Sequence, residues 1–152
     1  MLYLLLKWLH VLAVIVAVGA NVTYGIWLAH ASRNPEALPF TLRGIKLLDD
    51  RVANPAYGLV LVTGLLMVFV VRMPLTTPWL LMALILYALV VLVGLAGYTP
   101  TLRRQIQLLD SAGFLSLHYQ ALARRGTILG AVLACLVIVI VYLMVVKPEL
   151  WG

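Results

Sequence analysis

The chain has 152 residues, of which 64% are hydrophobic and 11% charged, with a formal net charge of +6. Soluble domains carry about 25% charged residues, so this chain has too little polar surface to cover a water-soluble globule; its mean hydropathy of +1.09 agrees. A soluble enzyme, a disordered chain and a disulfide scaffold are thereby excluded, and what remains is an integral membrane protein of one compact domain, residues 1–152.

Spanning a bilayer takes about 20 apolar residues, and four stretches qualify or come close: 2–29, 56–71, 78–98 and 126–146. The first is too long for a signal peptide, and Lys7 follows a largely apolar run rather than a basic leader, so it reads as a retained helix. Asn54-Pro55 opens the second, with Asn as N-cap and Pro at the first helical position. The third starts at Pro78-Trp79 and ends at Thr99-Pro100. The fourth holds the single cysteine, Cys135, which in an apolar run acts as a small filler and not as a reactive thiol. Trp8, Trp79 and Trp151 fall near one interface and Trp27 near the other, as aromatic belts do.

Charge sets the orientation. The connection after the first stretch carries Arg33, Arg43, Lys46 and Arg51, and the one after the third carries Arg103, Arg104, Arg124 and Arg125. Only Lys7, Arg72 and Lys147 lie at the opposite side. The positive-inside rule then predicts an all-α four-helix bundle, N-out and C-out, with two longer cytoplasmic loops. Basic residues so placed fit topology and anionic lipid headgroups rather than nucleic acid. The expected location is a bacterial inner membrane.

Those two loops echo one another. Thr41-Leu42-Arg43 with Ile45 and Leu47-Leu48-Asp49 recurs as Thr101-Leu102-Arg103 with Ile106 and Leu108-Leu109-Asp110. The spacing predicts short amphipathic helices within the loops. A parallel duplication would account for the echo, and so would any basic, leucine-rich helix at a membrane surface.

Hydrocarbon penalises polar groups, so those inside the spans mark the bundle interior. His10 and Asn21 are eleven residues apart, three helical turns, and share a face with Ala17 between them. A neutral imidazole at His10 suits haem iron or copper; the alternative is an interhelical hydrogen bond. Met67, Met73, Met82 and Met144 fall at the depth of His10, where thioethers would suit Cu(I) or a His/Met pair of haem ligands; plain packing is the competing role. His30 and His118 lie at the opposite side without partners at metal-ligand spacing. The chain has no phosphate loop, no Ser/His/Asp arrangement, no CxxC and no acid within the four apolar stretches.

The run Leu6-Lys7-Trp8-Leu9-His10-Val11 resembles the first helix of HemJ-type protoporphyrinogen oxidases. Asn54-Pro55-Ala56 with Gly64-Leu65, Pro78-Trp79-Leu80, Leu102-Arg103-Arg104 and Val145-Val146-Lys147-Pro148 resemble later parts of the same family, in order. Leu81-Met82-Ala83-Leu84 stands where that family carries a Lys, so the resemblance implies the fold and a His10-centred site more than the oxidase activity. The chain also resembles predicted bacterial integral membrane proteins that share the Leu-His first helix and the Asp50-Arg51…Asn54-Pro55 entry, and the CopD membrane domain. The leading expectation is haem b held by His10, with Asn21, Met82 and Met144 at the site. Copper handling by His10 and methionines is the second, and a cofactor-free accessory subunit is the third. In that last case Gly94, Gly97 and Gly130 would receive a partner helix, within a homo-oligomer or a larger complex. Whether the chain is an enzyme stays open.

Overall fold

The structure is a computed structural model, and it describes residues 1–148; Trp151 lies outside the described residues. Six α-helices follow one another: α1 (Leu2–Ala31), α2 (Leu38–Leu48), α3 (Asn54–Val71), α4 (Pro78–Leu92), α5 (Thr99–Ala112) and α6 (Leu117–Val146). Four continuous helical rods are long and apolar enough to cross a membrane: Leu2–Ala31, Pro35–Val71, Pro78–Ser111 and Leu117–Val146. The all-helical, four-span architecture is as the composition implies.

The rods differ from the expected loops. α2 does not sit apart in a connection but runs into α3 through one π turn, Asp49–Ala53. α4 likewise runs into α5 through Val93–Tyr98. Each π turn ends two residues before a proline, Pro55 or Pro100. A helix-interior proline lacks an N–H and its ring presses on the carbonyl four residues back, here Arg51 or Ala96. Widening the turn to the i→i+5 pattern relieves the clash without ending the helix. Asn54 is therefore helical (φ −62°, ψ −46°) and not an N-cap, and Thr99-Pro100 does not end the helix, which runs on as α5.

The echo also reads differently in three dimensions. Its first copy leads into a span and its second trails one, so the chain breaks after α1 in one half and before α6 in the other. The two copies also meet: α2 and α5 lie against each other and send Leu42 and Leu102 into one core cluster with Tyr24, Ile45, Ala53 and Tyr119. Arg43 Nη2 donates to both oxygens of Asp110, at 2.9 and 3.0 Å, across the two copies.

Packing divides the molecule along the membrane normal. α1 lies along α3, and α4 lies along α6, while α3 and α4 make no close backbone approach among the described residues. The two pairs are joined at the arginine-rich end, hereafter the basic end, where α2 and α5 pack between them. At the other, short-loop end the pairs stand apart. Left-handed residues close α3 and α6 at that end, Arg72 (φ 55°) and Lys147 (φ 50°).

Candidate functional site

The gap between the two helix pairs is a cavity of about 380 Å³, within the range of about 300–1,000 Å³ usual for small-molecule sites. It runs from Tyr3, Met73, Trp79 and Lys147 at the short-loop end to a floor at Tyr57, Tyr87 and Val90. Its walls are almost wholly aliphatic, and His10 stands in one of them.

His10 projects from α1 toward α3, where Gly64 leaves room for it. A Cβ at Gly64 would lie 3.2 Å from His10 Cε1. The imidazole Nδ1 is 2.9 Å from Thr63 Oγ1. Thr63 in turn lies 2.6 Å from the Leu59 carbonyl oxygen. With the Thr63 hydroxyl donating to that carbonyl, its lone pair accepts from Nδ1–H and Nε2 keeps a free lone pair; with the hydroxyl turned toward Nδ1, the ring proton sits on Nε2.

The floor is a second polar group. Asn21 donates from Nδ2 to the Tyr57 hydroxyl and, at 3.1 Å, to the Ala17 carbonyl. Tyr87 donates to the Tyr57 carbonyl at 2.6 Å. At the mouth, the Lys147 ammonium sits 5.4 Å from the centre of the Trp79 ring, a cation–π contact.

His10 and Asn21 thus share the face toward α3, with Ala17 buried between them, but they occupy the wall and the floor and do not touch. Met67, Met73 and Met144 line the same cavity as His10; Met82 is not part of its lining. His30 and His118 are exposed at the basic end, His30 edge-on to Trp27. Cys135 is exposed on α6, toward the space lipid would fill. The small residues expected to receive a partner helix are used within the chain, Gly97 against Leu129 and Gly130 against Tyr98; Gly94 alone faces open space. Sequence reasoning missed Thr63, Tyr57 and Tyr87. Thr63 had a signal, since it is the only hydroxyl residue in 58–71, but nothing in the sequence says that it meets His10 across 53 residues.

The comparisons bear on the whole chain. The sequence profile of the family DUF2269, described as a predicted integral membrane protein, matches residues 4–148. The chain belongs to that family. No curated protein and no solved structure shows significant similarity to this DUF2269 chain.

Proposed function

We propose that this DUF2269 chain is a small redox-related membrane protein that binds haem b in the cavity between its two helix pairs, with His10 as axial ligand. One observation carries the reading: His10 stands in the cavity wall with Nδ1 2.9 Å from Thr63 Oγ1, and in the tautomer in which Thr63 accepts from Nδ1–H the ring offers the oriented, proton-free Nε2 that a metal ligand requires. The rest of the lining fits the group. Aliphatic walls suit a macrocycle, and Lys147 at the mouth suits its carboxylates. Met144 and Met67 are thioethers that a haem iron accepts as partners of His. Haem would supply one-electron chemistry; the chain binds and orients it and keeps water from it. The likeness of the first helix to HemJ-type proteins points the same way, and the Lys that family carries has no counterpart here. In this reading the basic end faces the cytoplasm, and the short-loop end with the cavity mouth faces outward across a bacterial inner membrane.

The absorption spectrum of detergent-purified protein, produced with ample haem supply, tests this. A Soret band that is lost in His10→Ala is expected. No band, or one unchanged in His10→Ala, removes the reading. A specific observation also favours copper(I): three thioethers, Met67, Met73 and Met144, share the cavity with His10, a soft donor set. Copper retained after loading and lost in a Met67→Leu/Met144→Leu variant would replace haem with copper.

A further inference from the structure

The cavity between the helix pairs is not sealed from the bilayer. Ile15 of α1 and Val145 of α6 line it yet are 61% and 75% exposed, and Val11 and Val141, one turn away on the same helices, line it and are exposed as well. Side chains enclosed by a cavity would not be so open, so its edge between α1 and α6 reaches the surface that lipid covers. At the opposite edge α3 and α4 make no close backbone approach.

Depth and lining select hydrocarbon. From Val71 at the mouth to Tyr57 at the floor, both in the lining, the helical rise of α3 amounts to about 21 Å. One leaflet contributes about 15 Å of hydrocarbon, half of the usual core, so a lipid tail entering beside the mouth can run down the cavity to the region of the floor. Between the mouth, with Tyr3, Trp79 and Lys147, and the floor, with Tyr57 and Tyr87, His10 alone brings a side-chain nitrogen or oxygen to the lining. Water needs two to four polar partners and does not find them there. An unfilled gap would cost both walls their dispersion contacts. In a bilayer the material at hand is the acyl chain.

The mouth has the opposite character. Lys147 lines it with its ammonium over the Trp79 ring, and Arg72 closes α3 next to Met73, which is also in the lining. Among the described residues every Asp and Glu lies toward the basic end. Cations at the mouth of an apolar cavity match an amphiphile with an anionic head and a hydrocarbon tail.

The geometry points to an anionic phospholipid as a ligand of this cavity: one acyl chain enters between α1 and α6 from the leaflet at the short-loop end and lies along the wall that holds His10, while its phosphate stays at Lys147. The inference goes beyond the haem reading and stands without it. Haem and the acyl chain claim the same volume, so the lipid acts on the haem site as a competitor.

Photolabelling of the full chain, haem-free and reconstituted in phosphatidylcholine vesicles, tests this. The probe is phosphatidylglycerol with a diazirine at the end of one acyl chain, and mass spectrometry of the peptides locates the label. Interior label at Val60 and Tyr87, which line the cavity, is expected beside label at Val62 and Ile85, which are exposed and outside its lining. Leu84→Trp, a larger side chain in the cavity wall, should abolish the interior label and keep the outward one. Lys147→Gln should lower the interior label from phosphatidylglycerol, relative to a phosphatidylcholine probe, about fivefold, the effect of one basic residue at a membrane surface. Label confined to Val62 and Ile85 in the wild type overturns the inference, as does a lipid preference that Lys147→Gln leaves unchanged. Haem added to the wild type should reduce the interior label in proportion to the Soret band; interior label that persists beside bound haem overturns the competition. A wild type without a Soret band fails the haem reading instead, and the label map of the haem-free chain decides on the lipid by itself.

Discussion

The two halves of this bundle are built to opposite rules. At the basic end, six residues from α1, α2, α5, α6 and the first π turn, Tyr24 and Leu102 among them, form one buried cluster, and small or polar groups set the distances. Gly126 is the clearest case: a Cβ there would lie 2.7 Å from Gln105 Nε2, an amide that donates to the Leu122 carbonyl at 2.7 Å. At the short-loop end the helix pairs part, and aliphatic walls with one histidine surround a cavity. In a membrane the hydrophobic effect does not press apolar helices together, so packing and hydrogen bonds must do so. The basic end has both. The short-loop end has them chiefly within each pair, as from His10 to Thr63; Tyr87 reaches the Tyr57 carbonyl across the pairs at the cavity floor, and above it a cavity remains between them. The contrast teaches that contacts between the helix pairs hold one end together while the other encloses a cavity.

Substitutions at the two ends should therefore separate binding from stability. The largest effect is expected for His10→Ala, which removes the ligand atom: haem affinity should fall by at least about 100-fold, beyond the range for outer-shell partners, while helix content by circular dichroism stays as it is. Comparable melting loss in His10→Ala would break the division. Thr63→Val keeps the shape but removes the hydroxyl that orients the ring at Nδ1. Affinity in a haem titration should drop about 10–100-fold, with the Soret band displaced rather than lost.

Gly126→Ala tests the other end. Its Cβ forces the Gln105 amide aside, and overpacking of this kind costs about 1–3 kcal/mol. The melting temperature in detergent should fall, and haem affinity in the folded protein should not. The smallest effect belongs to Arg43→Ala. The pair with Asp110 is half exposed, at 61% and 47% for the two side chains, and such pairs contribute about 1 kcal/mol or less. Its melting shift should be small and should shrink as salt rises; a large, salt-independent loss would show that the α2–α5 contact depends on this pair far more than its exposure implies.

Much of this was legible in one dimension, for reasons that particular residues show. The spans were, because 20 apolar residues in a row have no other stable use. His10 and Asn21 were placed on one interior face by helical period, and both do turn toward α3. The prolines were read as boundaries because Pro usually ends a helix; Pro55 and Pro100 instead sit after π turns, an outcome that depends on neighbouring rods holding the helix together. The echo of Leu, Arg and Asp is legible in sequence, but that its two copies pack against each other is not. Met82 was grouped with Met144 by depth, and depth carries no information on which way a side chain points.

The sequence by itself determined the class, the number of spans, the segregation of charge to one end and the scarcity of polar groups that makes His10 stand out. These are properties of composition and local period, and each is decided within about 20 residues. Tertiary structure alone decided that Thr63 meets His10, that three methionines share its cavity, and that Asp49 and the Tyr24 hydroxyl are buried at the basic end. Each of these is a contact between, or an enclosure by, segments distant in the chain. Periodicity gives the face a residue occupies but not its partner, which depends on how the helix pairs pack.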